Sequence, residues 1–369
     1  MAGTTDEDVR RLGSDGAPDD ETARRRRRRL GRRALLVAVG ALVVLALLAG
    51  GGTYLVVDRV TGDIERIPQV FDPIPEEQRP QKPAADEPGA DGLTFLLAGL
   101  DRRSDVPTTG TSAEAEAWRP GEARTDAVLV VHVTGDRDEA YVVSIPRDSW
   151  VDIPGRGMNK INAAYSLGGP TLFVQTVEQL TDLRIDHLAV VDWHGFRHLT
   201  DAVGGVTMTF DQEVVARGRT FPPGMHTLSG EEALAYVGER YGLPGGDFDR
   251  VRRQQNFLRA LMQGLLTRET LTDPGSLAEV TGAVARAASV DDSLSGTAMI
   301  RLALEMRGIR SDDVTFLTVP TLGTGRAGAA SIVVYDHEAA DALWRAVESD
   351  SLDRWLADNP DQALGDHVD

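Results

Sequence analysis

Charged residues stand at the ends of three apolar runs in this sequence. Asp101 follows Leu93 to Leu100, Arg124 and Asp126 precede Ala127 to Thr134, and Arg147 and Asp148 follow Ala140 to Ile145. A second set lies in Arg240-Tyr-Gly-Leu-Pro-Gly-Gly-Asp247-Phe-Asp249-Arg250-Val-Arg252-Arg253-Gln254-Gln255. Carboxylates among arginines suit a pyrophosphate. The guanidinium fork matches phosphate oxygens two at a time. A hard cation such as Mg²⁺ binds through one or two carboxylates plus phosphate oxygens. Such groups together neutralise charge developing on a leaving phosphate. The same residue types fit equally well a set of surface salt bridges with no chemistry.

The elements that must position these residues alternate between strands and helices. Leu93 to Leu100, Ala127 to Thr134 and Ala140 to Ile145 read as strands, the last two joined by the hairpin signal Gly135-Asp136-Arg137-Asp138. That hairpin places Asp126 and Arg147 at one sheet edge, and Asp101 joins them if its strand runs antiparallel to the second. Pro170 to Leu180 reads as a helix with proline in its first turn. His187 to Asp192 is a strand, Phe196 to Val203 a helix ended by Gly204-Gly205, and Val206 to Phe210 a strand. Ser229 and Glu232 form a capping box for a helix to about Glu239. Asp249 is the expected cap of a helix from Arg250 to about Leu266. On that helix Val251, Leu258, Met262 and Leu265 form the apolar stripe, and Arg250, Gln254 and Phe257 its flank. Arg252 and Arg253 are expected to meet solvent. Val314 to Val319 is a late strand, and Leu352 to Ala357 a short helix. This order predicts an α/β fold, a mixed sheet covered by helices on both faces.

The two ends of the chain differ sharply in charge. Residues 1–33 hold 10 Arg against 7 Asp or Glu, whereas the rest holds 29 Lys or Arg against 50 Asp or Glu. The segment 1–33 reads as a disordered cytoplasmic tail. Arg24 to Arg29, with Arg32 and Arg33, abut the uncharged apolar run 34–57, which is long enough for one transmembrane signal anchor. Arginines beside such a span stay cytoplasmic, so the remainder is expected outside the cell membrane. Six prolines from Pro68 to Pro88 predict a stiff spacer over 58–92, and 349–369 an acidic, frayed tail. The acidic exterior argues against a duplex nucleic-acid partner, because phosphate binding needs net basic surface. The absence of cysteine excludes disulfides, zinc–thiolate sites and cysteine nucleophiles.

Several motifs occur in order: Phe95-Leu-Leu-Ala-Gly-Leu-Asp-Arg-Arg103, Arg124-Thr-Asp126, Ser144-Ile-Pro-Arg-Asp148, Lys160-Ile-Asn-Ala-Ala-Tyr165 with Gly168-Gly-Pro170, and Asp201-Ala-Val-Gly-Gly205. Leu228-Ser-Gly-Glu-Glu-Ala-Leu-Ala-Tyr236 and Leu243-Pro-Gly-Gly-Asp-Phe-Asp-Arg-Val-Arg-Arg-Gln-Gln255 follow. Together, over residues 93–348, they resemble the LytR-CpsA-Psr family of cell-wall glycopolymer ligases. The resemblance implies a three-layer α-β-α domain with a long hydrophobic pocket for a polyprenyl chain. It implies transfer of a phosphoglycopolymer, such as teichoic acid, from a polyprenyl-pyrophosphate carrier to a peptidoglycan sugar hydroxyl. By motif, Asp101 and Asp126 would hold Mg²⁺. Arg124, Arg147, Arg240 and Arg250 would bind pyrophosphate, with Gln254 beside them and Arg103 as a further phosphate ligand. Asp247 would activate the acceptor hydroxyl.

One position departs from the family pattern. Two arginines usually alternate after Ala-Tyr-Val, and here Gly238 takes the first place and Arg240 the second. Arg102 or Arg103 is the expected substitute, with catalysis weakened but kept. The insert between Asp101 and Arg124 is long, and Thr108 to Thr111 within it is expected to be a mobile loop. His194 and His198 have a metal-like spacing but no third ligand, and read as a solvated helix face. Neither Ser144 nor Ser229 stands in Gly-x-Ser-x-Gly. Two other functions fit the sequence: hydrolysis of the carrier pyrophosphate by water, and a non-catalytic lipid-binding or scaffold role in the envelope.

Overall fold

The computed structural model describes residues 64–102, 104, 106–239, 245–265 and 282–364. The expected cytoplasmic tail and anchor, 1–57, lie outside the described residues, as do Arg103 and Arg240. Among the described residues no helix is long and apolar enough to cross a membrane.

A seven-stranded mixed sheet forms the centre. Its strands, in spatial order, are β1 (Arg66–Ile67), β12 (Ala288–Asp291), β7 (His187–Asp192), β2 (Leu93–Arg102), β3 (Ala123–Val133), β4 (Ala140–Ser144) and β13 (Val314–Thr318). β2 is antiparallel to β3, which is antiparallel to β4, while β2 runs parallel to β7 and β4 parallel to β13. The C-terminal ends of β7, β2, β4 and β13 therefore share one rim with the start of β3. The crevice at the carboxyl ends of strands is where open α/β sheets bind ligands.

Strand alternation sends Leu96, Ala98, Leu100, Val128 and Val130 to one face, all nearly inaccessible to solvent. There they meet α1 (Asn162–Thr181) and α6 (His337–Glu348) through Phe173, Val177, Leu343 and Trp344. Each such side chain contributes ~1.5–3 kcal/mol on burial. α1 starts earlier than the expected Pro170. Gly169 breaks it with φ 70°, and Pro170 opens the second segment. A Cβ at Gly169 would lie 2.8 Å from the Trp118 ring, so only glycine lets the break pack there.

On the other face Val142 and Phe316 meet Leu258 and Met262 of α4 (Asp247–Leu265). Behind α4 a further apolar cluster joins α2 (Trp193–Ala202), α3 (Gly230–Gly238) and the small pairs β8 (Val206–Phe210) with β11 (Gly224–Leu228) and β9 (Val214–Ala216) with β10 (Arg219–Phe221). Two more hairpins, β5 (Trp150–Ile153) with β6 (Gly157–Lys160) and β14 (Thr321–Ala327) with β15 (Ala330–Tyr335), follow the ends of β4 and β13. The capping box of Ser229 and Glu232 forms as expected.

Three expectations give way. Residues 64–92 are not a free stalk: Ile64, Val70 and Ile74 are buried and β1 joins the sheet. Prolines stiffen this stretch, but the apolar residues between them find the core. The C-terminal segment is likewise packed as far as residue 364. Leu352 of α7 (Leu352–Asp358) is buried, and Leu364 N–H donates to Phe316 O at 2.8 Å. Thr108 and Thr109 are fully buried, with Thr108 donating through N–H (2.6 Å) and Oγ1 (2.9 Å) to Asp192, so this part of the long insert is pinned.

Candidate active site

The antiparallel pairing on which Asp101 depended is present, with Asp101 opposite Arg124 in register. The ladder slips between Gly99, opposite Ala127, and Leu100, opposite Thr125. Asp126 is the extra residue of this bulge. A bulge re-aims side chains. Here it keeps Asp126 on the side of the sheet that carries Asp101 and Arg124, opposite Leu100. Asp101 accepts from Trp193 Nε1 at 3.2 Å, while Arg124 is exposed.

The densest charge lies where the turn after β4 meets the start of α4. Arg147 Nη1 donates to Asp126 Oδ1. Arg147 Nε lies 3.9 Å from Asp247 Oδ1 and 4.0 Å from Asp148 Oδ1, and Lys160 Nζ holds Asp148 at 3.2 Å. Arg250 Nη2 is 2.6 Å from Asp247 Oδ1. The Arg250 side chain is only 3% exposed, and Asp247 18%. Gln254, one turn further along α4, is half-buried.

This cluster is close but not saturated. Arg147 Nε, Arg250 Nε and Nη2, and Asp247 Oδ2 are buried without a well-aligned hydrogen-bond partner. Leaving a buried donor unmade costs ~1–3 kcal/mol, more for a charged group. Burial pushes the Asp247 carboxyl up, with Arg250 and Arg147 opposing. Burial pulls the Arg250 guanidinium down despite Asp247. For Arg147 burial acts in the same sense, but Asp126, Asp247 and Asp148 outweigh it and push its guanidinium up. The site holds two buried cations, each paired with a carboxylate, and burial raises the pKa of one of those carboxyls, Asp247.

Two expectations on α4 are corrected. The helix begins at Asp247, not after Asp249. Asp249 sits inside its first turn, accepting from Gly245 N–H at 2.6 Å and pairing with Arg252. Arg253 is buried, not solvated, and stacks over the Tyr236 ring at 5.0 Å with Nη1 bare. Its place three residues beyond Arg250 was the available signal, because i and i+3 are neighbours on a helix. Gln255, which no sequence signal singled out, is buried. Its Nε2 donates to Ser144 Oγ (2.8 Å), Thr318 Oγ1 (3.2 Å) and Leu317 O, and so fixes α4 to the ends of β4 and β13.

Gly238 also has an explanation. A Cβ there would lie 2.5 Å from Arg217 Nη2, and that nitrogen donates to Gly238 O at 3.1 Å. A guanidinium from the turn between β9 and β10 therefore occupies the space of a side chain at 238. Arg102 and Arg103, the expected substitutes, have side chains outside the described set. His194 takes part in a local contact, with Arg197 Nη2 donating to its Nδ1 at 3.0 Å. Among the described residues no three His, Cys, Asp or Glu side chains gather to hold a metal.

A mixed sheet whose carboxyl-end rim gathers buried arginines and carboxylates defines an α/β protein with a cluster of charge at one sheet edge. Residues 73–349 match the model of the LytR_cpsA_psr family, and the chain belongs to that family. It is 34% identical over 292 residues to the cell wall biosynthesis protein LcpA of Corynebacterium glutamicum, covering 69% of this chain and 56% of LcpA. The chain thus spans little more than half of that relative. It is 33% identical over 240 residues to the polyisoprenyl-teichoic acid–peptidoglycan teichoic acid transferase TagU of Oceanobacillus iheyensis, covering 63% of this chain and 69% of TagU. The fold resembles that of TagV of B. subtilis, with TM-score 0.58 and 24% identity over 71% of this chain and 98% of TagV. It also resembles TagT bound to LIIa-WTA, with TM-score 0.54 and 24% identity over 74% and 94% of the two chains.

Proposed function

We propose that this protein is an extracytoplasmic phosphotransferase. It moves a phosphoglycopolymer from a polyprenyl-pyrophosphate carrier to a sugar hydroxyl of peptidoglycan. The observation that carries this reading is the pair of buried arginines, Arg147 and Arg250, each ion-paired to a carboxylate, Asp126 and Asp247, yet with its Nε lacking a hydrogen-bond partner. A pyrophosphate supplies the acceptor oxygens those nitrogens lack. The family and the cell-wall role of LcpA support a place in cell-wall synthesis, and the name of TagU, a polyisoprenyl-teichoic acid–peptidoglycan teichoic acid transferase, supports this class of donor and acceptor.

In this reading the sugar hydroxyl oxygen attacks the phosphorus that bears the glycopolymer. The bond from that phosphorus to the bridging oxygen breaks, and polyprenyl phosphate leaves. Asp247 takes the hydroxyl proton. Arg147 and Arg250 hold the non-bridging oxygens, with Gln254 beside them, and stabilise the charge that gathers on the leaving phosphate. Arg124, Arg103 and Arg240 are further phosphate ligands by motif. Asp101 and Asp126 share one side of the sheet, and two carboxylates with phosphate oxygens are a suitable donor set for Mg²⁺. Bound there, Mg²⁺ would neutralise phosphate charge. The segment 34–57 would tether the domain to the outer face of the cell membrane, with residues 1–33 cytoplasmic.

The test is an assay of the full-length protein with a short-chain polyprenyl-pyrophosphate glycopolymer, a peptidoglycan acceptor and Mg²⁺, with and without chelator. Polymer joined to acceptor is the expected product. Free phosphorylated polymer formed at the same rate with or without acceptor means a hydrolase. Donor binding without turnover means a lipid-binding protein.

A further inference from the structure

The long insert after β2 is not a free loop, and what it holds reaches the rim. β2 and β7 run parallel with Leu100 level with Asp192, so the chain leaves β7 beside Asp101. Asp192 is 3% exposed and caps α2, where its Oδ1 accepts from Gly195 N–H at 2.7 Å. Its Oδ2 accepts both bonds from Thr108. Its own N–H donates to Thr109 Oγ1 at 3.1 Å, and that hydroxyl donates to Ala287 O at 2.9 Å. Gly110 N–H donates to Ser289 Oγ at 3.0 Å, and Thr111 N–H to Ala285 O at 3.1 Å. Four consecutive residues of the insert are thus tied to the cap of α2 or to residues 285–289. Satisfied buried polar networks of this kind rigidify what they join.

This brace fixes the first residue of α2, Trp193. Its indole Nε1 donates to Asp101 Oδ1 at 3.2 Å. Its ring meets Phe196 edge-on, with centroids 6.4 Å apart, and Phe196 meets Phe257 of α4 at 5.1 Å. Phe257 lies on the flank of α4 that carries Arg250 and Gln254. An indole nitrogen only donates, so it neither binds a cation nor removes the charge of the carboxylate. It takes one oxygen of Asp101 and leaves Oδ2 without a hydrogen bond among the described residues. Asp101 is exposed near the end of β2, so without this bond its carboxylate would turn freely. A carboxylate held by one oxygen presents the other in a set direction, and such outer bonds tune metal affinity by ~10–100-fold.

We propose that Trp193 is a positioning residue, whose N–H, braced by Asp192 and the insert 108–111, aims the Asp101 carboxylate at a divalent cation. The assignment rests on the reading of Asp101 and Asp126 as Mg²⁺ ligands. The probe is Mn²⁺, a divalent ion that takes the same oxygen ligands as Mg²⁺. It is titrated into the full-length protein in detergent, and the free ion is followed by electron paramagnetic resonance. The wild type is expected to bind Mn²⁺ at a site that Mg²⁺ competes for and Asp101→Asn loses. Trp193→Phe keeps an aromatic ring and deletes the N–H. It is expected to weaken that site about tenfold, at the low end of the range because the bond faces solvent. Its urea midpoint is expected to match the wild type, as is its binding of inorganic pyrophosphate without metal. If Trp193→Phe binds Mn²⁺ as tightly as the wild type, the assignment is overturned and the Mg²⁺ reading of Asp101 stands. It is overturned too if Mn²⁺ affinity and the urea midpoint fall together, since the indole then serves packing alone. If the wild type has no such site, the Mg²⁺ reading and the assignment fall together. Metal-free pyrophosphate binding that is lost in Arg147→Ala then tests the arginine site separately.

Discussion

Two buried arginine–carboxylate groups in this molecule share residue types and differ in saturation. Arg79 Nε and Nη2 both donate to Glu178, at 2.6–3.2 Å, and Nη2 also donates to Ile185 O at 2.6 Å. Glu178 accepts in addition from Ile185 N–H, and the guanidinium lies over the Phe71 ring at 4.8 Å. Little bonding capacity is left there. At the rim, Arg147 and Arg250 are buried to a similar degree beside Asp126 and Asp247, yet nitrogens and a carboxylate oxygen stay bare. Charge and burial are common to both groups, so neither marks function. What separates them is bonding capacity that the protein's own groups leave open at the rim, to be met by water or a ligand. The first group holds residues 64–92 on the domain; the second leaves polar atoms open at the rim, as the proposed pyrophosphate site requires.

The sharpest break of that comparison is Glu178→Ala. It leaves Arg79 charged and buried, and should destabilise the fold by about 3–5 kcal/mol. Urea unfolding measures it, and a loss below about 1 kcal/mol, the range of an exposed pair, would put the two groups in one class. Next, Arg147→Ala should lower kcat/KM for polymer transfer by about 10²–10³. Its unfolding midpoint should move far less than that of Glu178→Ala, because Arg147 is not fully bonded. A steady-state assay beside the same urea series checks both.

Asp247 gives a pH test. Burial raises its folded pKa above the ordinary carboxylate value. The folded state therefore holds the proton more tightly than the unfolded one. The stabilisation from this site is fully present below the unfolded pKa and is lost as pH rises through the folded value. Asp247→Asn should flatten stability across that window. It should also remove the acidic limb of the kcat/KM profile, which in the wild type inflects above the ordinary carboxylate pKa. A limb unchanged in the variant assigns the base elsewhere. The smallest effect is expected from Gly238→Arg. Arg217 already fills that space with the movable end of a side chain, so turnover should stay within about threefold, near the ±0.5 kcal/mol of ordinary surface changes. A gain well beyond that would show that Arg217 does not stand in for the missing side chain.

Much of the site was legible because its signals are local. The hairpin signal at Gly135 to Asp138 placed Asp126 and Arg147 on one edge, and β3 and β4 pair in that way. The position of Asp101 was conditional on an antiparallel β2, and that pairing is present. Short hairpins such as β5 with β6 carry too few residues for a period to show. Apart from its spacing from Arg250, nothing local marked Arg253 as buried, because the apolar stripe of α4 marks one covered face, whereas α3 covers a second through Tyr236.

The amino-acid order by itself determined the longer strands and helices, though not all their ends, the capping box of α3 and the set of charged residues near the rim, since these depend on periods and caps within a few residues. Tertiary structure alone decided that Asp126 is a bulge residue, that Arg79 finds Glu178 while Arg147 and Arg250 stay unsaturated, and that Arg217 fills the space beside Gly238. Those outcomes join groups 21 to 99 residues apart. No local pattern records such a partner. It is fixed by the packing of the whole chain, where each buried polar group is matched or left open.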